Sequence, residues 1–118
     1  MTRTHSAVAG LNALSDTEKQ TVFECLRAAS NGPFFPDWEF STLFGLEREQ
    51  VRRIAATAPH IDDSSEEVAQ AINGAMGNLV GYLHHQEHAW SRFVSVPEEE
   101  VSRVLSKWRG DASHLTNR

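Results

Sequence analysis

The chain has 118 residues, of which 40% are hydrophobic and 23% are charged, and its formal net charge is −5 at pH 7. This length and composition predict one globular domain that buries a core without disulfides or a structural metal. The negative charge disfavours nucleic acids and anionic membranes as partners. No apolar run is long enough for a signal peptide or a membrane span, so we expect a cytoplasmic protein.

The first helix is predicted to begin after Ser15, because Ser15 and Glu18 have the spacing of a capping box. Apolar residues then recur at helical spacing, and the Asn-Gly-Pro sequence at 31–33 ends the helix. The single cysteine, Cys25, excludes an intrachain disulfide and has no basic neighbour to activate it, so we expect a buried, unreactive thiol. No other nucleophile lies beside a base, which favours a binding protein without a cofactor over an enzyme.

Residues 33–46 contain half of the aromatic side chains of the chain. Phe40 and Phe44 are four residues apart on a predicted short helix and are expected in the core. Phe34 and Trp38 are the candidates for an exposed interface, because these residue types dominate binding hot spots. The favoured interpretation is that all five aromatic residues pack inside the bundle. The five are Phe34, Phe35, Trp38, Phe40 and Phe44.

Residues 37–57 resemble a DNA-binding helix-turn-helix. Ser41 precedes Gly45 by four residues, and Val51 and Ile54 follow at positions that would pack the second helix onto the first. The resemblance implies that the polar side chains of the second helix face the DNA groove. These candidates are Arg48, Gln50, Arg52 and Arg53. Two glutamates at the front of this helix and the acidic character of the whole chain oppose contact with phosphates, so an ordinary helical hairpin is the favoured interpretation.

A long central helix is predicted over about residues 65–83, and no charged residue occurs from Val68 to Gln86. One side of this helix carries apolar residues, and the opposite side carries Gly74, Gly77 and Gly81. Each glycine inside a helix costs roughly 1 kcal/mol relative to alanine, so three of them require a compensating contact. We expect the glycine face to be covered, either by another helix of the chain or by a second copy in a homodimer. A merely weak or kinked helix is the third possibility.

The central helix is followed by a cluster of histidines. If the helix continued, His84 and His88 would share one face, as paired histidines of zinc sites do, and His85 would lie near them. The alternative, which we favour, is a polar helix end whose histidines cap free carbonyls. A final helix is predicted after Pro97, with an apolar stripe that ends at Trp108 and with Gly110 as its stop.

The sequence therefore predicts an all-α, compact single-domain bundle of about five helices around a central buried helix. A loosely ordered arm over residues 1–13 precedes the helical domain over 14–110, and a tail over 111–118 follows it. The function that we expect is a small cytoplasmic protein-interaction module that self-associates as a dimer. Its predicted contacts are Gly74, Gly77, Gly81, Phe34 and Trp38. The two alternatives are a helix-turn-helix regulator and a metal-binding protein that uses His84, His85 and His88.

Overall fold

The computed structural model describes residues 10–110, which form six α-helices and no strand. Residues 1–9 and 111–118, which cover most of the predicted arm and all of the predicted tail, lie outside the described residues. One of the six helices is a single turn, so the prediction of an all-α bundle with about five helices is confirmed. No helix within residues 10–110 is both long and apolar enough to cross a membrane. The helices are α1 (Asp16–Asn31), α2 (Asp37–Phe44), α3 (Arg48–Ala56), α4 (Glu66–Gly81), α5 (Trp90–Phe93) and α6 (Glu98–Arg109).

Helix α4 lies at the centre of the bundle and packs against α1, α2, α3 and α6. The Ser65 hydroxyl accepts a hydrogen bond from a backbone N–H of its first turn, which fixes the start of the helix as predicted. The helix ends at Gly81 and Tyr82 is extended, so α4 stops two residues before the predicted boundary. Leu83, which we expected on the apolar side of the helix, is therefore 80% exposed. The buried residues of α4 are Ala71, Ile72, Ala75, Met76 and Leu79.

Three other helix ends agree with the local sequence signals. Ser15 and Glu18 form both hydrogen bonds of a capping box at the start of α1. Gly45 and Gly110 end α2 and α6 in the left-handed conformation, with φ of 71° and 72°, which glycine adopts without steric cost. Cys25 is fully buried in α1, and burial raises the pKa of its thiol, so the interpretation as an unreactive core residue is confirmed.

Glu18 also joins α1 to α6. Its carboxylate accepts hydrogen bonds from Lys107 Nζ at 3.0 Å and from an Arg103 guanidinium nitrogen at 2.9 Å. The backbone N–H of Ser15, with Lys107 and Arg103, lowers the pKa of the buried Glu18 carboxyl to about 2. The residue that caps one helix therefore also fixes the position of another.

The packed domain begins earlier than predicted. Leu11 was assigned to the loosely ordered arm, but its side chain is buried in the core. Its backbone N–H donates to Asp63 Oδ2 at 2.8 Å, and the same oxygen accepts from the Trp108 indole at 2.9 Å. The Gly10 N–H also donates to the carbonyl of Trp108 at 2.8 Å. The start of the described chain is thus held by a loop and a helix that lie far away in sequence, which local patterns do not reveal.

Candidate functional site

The histidine segment does not form the helical pair that a metal site would need. Because the backbone becomes extended at Tyr82, His84 and His88 do not share one helical face. His84 is buried, and His85 has a φ of 58° and is exposed, as is His88. Within residues 10–110, no three or more histidine, cysteine, aspartate or glutamate side chains converge as metal ligands. The hypothesis of a metal site at His84, His85 and His88 is therefore not supported, because the helix ends before it reaches them.

His84 has a different role, at the end of α4. Its Nδ1 accepts the backbone N–H of Gln86 at 3.0 Å, and its Nε2 lies 3.2 Å from the carbonyl oxygen of Leu79. These partners require a neutral ring that carries its proton on Nε2 and donates it to the helix carbonyl. The ring of Trp90 stacks beside the imidazole, with 6.3 Å between the centroids. Both ring nitrogens are used within the chain, so His84 caps the helix.

Arg48 was a candidate for the DNA groove, but its side chain is turned toward the protein and is only 19% exposed. The guanidinium donates to the carbonyl oxygens of Phe35 at 2.7 Å and Ala29 at 3.3 Å. It also pairs with Asp37 at 2.8 Å and lies 4.5 Å from the centroid of the Phe40 ring. Arg48 thus connects the end of α1, the loop that follows it and the start of α2.

Arg52, one turn later on α3, binds the same region. It donates to the carbonyl oxygen of Ser30 and to Asn31 Oδ1, both at 3.0 Å, and it pairs with Glu49 at 2.7 Å. Two arginines of α3 therefore donate hydrogen bonds to carbonyl oxygens in the last turn of α1. A positive charge is favoured there by the helix dipole.

The two remaining groove candidates, Gln50 and Arg53, differ in their contacts. Gln50 Oε1 accepts the backbone N–H of Glu47 at 2.7 Å, and Gln50 Nε2 donates to Glu67 at 3.1 Å. Arg53 is exposed and makes no hydrogen bond or ion pair within residues 10–110. Three of the four candidates, Arg48, Gln50 and Arg52, form hydrogen bonds with other residues of the chain. Arg53 is the one candidate whose side chain is exposed without such a contact in the described part of the chain. The hairpin of α2 and α3 serves the packing of the bundle.

The three glycines of α4 meet three different environments. A Cβ atom built on Gly74 would lie 2.9 Å from Cδ2 of Phe44, so α2 covers this position closely. A Cβ atom on Gly77 would lie 3.7 Å from the guanidinium of Arg109. A Cβ atom on Gly81 would meet no atom within 4 Å, and Gly81 is exposed. The expectation that the whole face is covered is wrong for the single chain at Gly81, since no atom of the described residues lies against that position.

Hydrogen bonds show how α2 lies along this face of α4. Gln70 donates a hydrogen bond to the carbonyl oxygen of Phe44 at 2.9 Å. Twelve residues later, the hydroxyl of Tyr82 donates a hydrogen bond to the Glu39 carboxylate. Asn78, which lies between Gln70 and Tyr82, donates to the carbonyl oxygen of Leu43 at 3.2 Å, so the last turn of α2 lies over the middle of α4. The side chain of Tyr82 then reaches the first turn of α2 at Glu39.

Two large hydrophobic side chains are exposed within residues 10–110. Trp38, in the first turn of α2, is 78% exposed, and Leu83, just after α4, is 80% exposed. We call Trp38, Gly81 and Leu83 together the Trp38 surface. Both acidic neighbours of Trp38 have partners within the chain. Asp37 forms an ion pair with Arg48. Glu39 accepts a hydrogen bond from the hydroxyl of Tyr82, which raises the pKa of that tyrosine.

The other predicted interface aromatic, Phe34, is 1% exposed and belongs to the core. Its ring makes edge-to-face contacts with His84 at 4.9 Å, Phe93 at 5.7 Å and Trp90 at 6.1 Å between centroids. The prediction that Phe34 lies at an exposed interface is therefore wrong, because the loop after α1 turns it under the histidine segment. The four phenylalanines of residues 33–46 are buried, and Trp38 is the one exposed aromatic residue of this stretch.

A further recess lies between α3 and the loop before α4. Its lining includes Arg53, Ile54, His60, Asp62 and Val68. It is open to solvent, and none of its polar side chains is buried. An enclosed site with convergent polar groups, which catalysis on a small molecule requires, is not built there.

Comparison of the chain with family models, with curated proteins and with solved structures finds no match.

Proposed function

We propose that the chain is a small cytoplasmic protein-interaction module that self-associates through the Trp38 surface. The observation that carries this proposal is that Trp38 and Leu83 are the two large hydrophobic side chains exposed within residues 10–110, one at the start of α2 and the other just after α4, two helices that pack together. An exposed tryptophan is favourable for binding, because it offers a large rigid apolar area with few rotatable bonds.

The charge distribution limits the approach of a second copy. Two molecules of net charge −5 repel each other over most of their surfaces. The second half of α4 has no charged side chain, and the carboxylates next to Trp38 are bound to Arg48 and Tyr82. Asp37 is paired with Arg48, but Glu39 keeps its negative charge when it accepts a hydrogen bond from the uncharged Tyr82 hydroxyl, so each copy brings one carboxylate without a cationic partner to this contact.

The small size of the surface predicts weak association. Two side chains and a bare glycine bury about 300–400 Å² per copy, against about 800 Å² per partner in a standard stable interface. We therefore expect a dissociation constant on the order of 100 µM or weaker. Added salt should tighten it, because salt screens the repulsion between two acidic chains.

Sedimentation analysis over a range from about 10 µM to about 1 mM tests the proposal. The weight-average mass of the wild type is expected to rise from the 13.2 kDa of one chain toward twice that value. Trp38→Ser and Leu83→Ser should each remain monomeric, whereas Arg53→Ser, which changes an exposed residue on another helix, should behave as the wild type. A wild type that stays monomeric throughout the range contradicts self-association.

A further inference from the structure

We infer that a recess between the ends of α1 and α3 binds a phosphate group, either as the free anion or as part of a small phosphate monoester. The recess has a volume of about 200 Å³. Among the described residues, its lining contains two arginines, one from each helix, and no acidic side chain. The lining residues are Arg27, Asn31, Arg52, Ala55, Ala56 and Ala58. This inference is independent of the proposed self-association, which concerns Trp38 and Leu83.

The space exists because the side chains at its base are small. Ala55 and Ala56 follow Arg52 by three and four residues, so they lie beside it on one face of α3. Arg27 and Asn31 are four residues apart and likewise share a face of α1, against which α3 packs. The volume of about 200 Å³ corresponds to about six water molecules at about 30 Å³ each, which is room for one phosphate group.

The two arginines differ in how much of their hydrogen-bonding capacity the fold uses. Arg27 is exposed and makes no hydrogen bond or ion pair within residues 10–110, so its five N–H groups are available to an anion. Arg52 donates one N–H from each of its three nitrogens to neighbouring groups, which fixes the guanidinium in place. One N–H remains on each of its two terminal nitrogens. A fixed guanidinium and an unused one therefore line the same space.

Two guanidinium groups from different helices suit a phosphate better than a carboxylate. A carboxylate has two oxygens and one charge, which a single arginine binds in the bidentate geometry. A phosphate group has at least three terminal oxygens and about two charges at pH 7, so it can accept hydrogen bonds from both arginines at once. Asn31 adds a donor, because its oxygen accepts from Arg52 Nε at 3.0 Å and its NH₂ group makes no hydrogen bond within residues 10–110.

Nearby and distant negative charges oppose this binding and limit its strength. The net charge of −5 repels anions at long range, and the carboxylate of Glu49 pairs with Arg52 at 2.7 Å. The carbonyl oxygens at the end of α1 would also repel a phosphate, but two of them accept hydrogen bonds from Arg48 and Arg52. We therefore expect a dissociation constant on the order of 1–10 mM at physiological salt, where the long-range repulsion is screened.

An NMR titration of the isotope-labelled protein with inorganic phosphate, at an ionic strength held constant with sodium chloride, tests the inference. The backbone amide signals of Asn31 and Ala56 should shift and reach saturation. A second titration with phenyl phosphate distinguishes the source of the group. Tighter binding of phenyl phosphate assigns the recess to monoesters, whose apolar part lies on the alanines, and equal or weaker binding assigns it to the free anion.

Matched pairs of variants separate the recess from the overall charge. Arg27→Gln should raise the dissociation constant for phosphate at least about tenfold, because it removes charged donors. Arg92→Gln removes the same charge from an exposed residue of α5 that does not line the recess, and it should bind phosphate as the wild type does. Glu49→Gln should tighten the binding, because it removes the carboxylate that competes for Arg52, whereas Glu99→Gln, the same change on α6, should not.

A wild type whose recess signals do not reach saturation overturns the phosphate site, as does Arg27→Gln that binds as tightly as Arg92→Gln. Ala56→Leu fills the space without changing the charge, so unchanged affinity in this variant also overturns it. Arg27 and Ala56 are exposed, and thermal melts of both variants check that the fold is kept. None of these outcomes bears on self-association, which sedimentation tests separately.

Discussion

Replacement of Arg48 by alanine tests whether this arginine stabilises the fold, as its contacts indicate, or serves a bound partner. The guanidinium donates to two carbonyl oxygens, and hydrogen bonds from a charged donor each contribute about 1.5–3 kcal/mol. Its position over the Phe40 ring adds about 0.5–1 kcal/mol. The pair with Asp37 adds little, since that carboxylate is 95% exposed.

These contributions are not additive, because water replaces part of the lost hydrogen bonding once the side chain is removed. We expect Arg48→Ala to lower the free energy of unfolding by about 2–4 kcal/mol. Arg48→Lys should give a smaller loss, since the ammonium keeps the charge but cannot reach both carbonyls with a planar fork.

Equilibrium unfolding in urea, followed by far-ultraviolet circular dichroism, measures these changes. With a slope of about 1–2 kcal/mol per molar urea, the midpoint of Arg48→Ala should fall by about 1–4 M. Arg53→Ala is the matched control, because Arg53 is an exposed arginine on the same helix, and it should change stability by less than about 0.5 kcal/mol. An Arg48→Ala midpoint no lower than that of Arg53→Ala would refute the assigned role.

Three further predictions concern other contacts. The folded pKa of Glu18, about 2, lies below its ordinary value of 4.5. Its carboxylate therefore stabilises the fold above about pH 4.5, and this contribution is lost as the pH falls toward 2. Urea titrations at several pH values should show that the stability of Glu18→Gln falls less on acidification than that of the wild type. Thermal melts should show that Gly81→Ala stabilises the protein by about 1 kcal/mol, whereas Gly74→Ala destabilises it, because its Cβ would lie 2.9 Å from Phe44. His84→Ala should lower stability by about 1–3 kcal/mol in urea, because it leaves a carbonyl and an N–H without partners, and added zinc should not raise the melting temperature of the wild type.

The ends of the helices were predictable because they depend on neighbours in the chain. The capping box of Ser15 and Glu18 and the left-handed glycines 45 and 110 are local chemistry, and they occur where the spacing predicted them. The absence of charged residues in α4 from Val68 onward likewise predicted its central place in the bundle, since a helix with so few charges is stable only when most of it is covered.

The roles of individual side chains on the surface were not predictable in this way. Arg48 and Gln50 have the residue types of a DNA-contacting helix, yet they bind groups of their own chain. Sequence spacing places a residue on one face of a helix, but which element lies against that face depends on contacts between distant segments. The long reach of an arginine makes the distinction harder, because the same side chain can bind solvent, a partner or a carbonyl in the next helix.

The amino-acid order alone was enough to establish an all-α domain, its helix ends and its apolar stripes, because each of these depends on interactions within a few residues. Packing between distant segments settled the rest. It placed Phe34 under the histidine segment and left Trp38 outside, although both are aromatic residues of one short stretch. It also covered Gly74 with the ring of Phe44 and left Gly81 open, although both glycines lie on one face of α4.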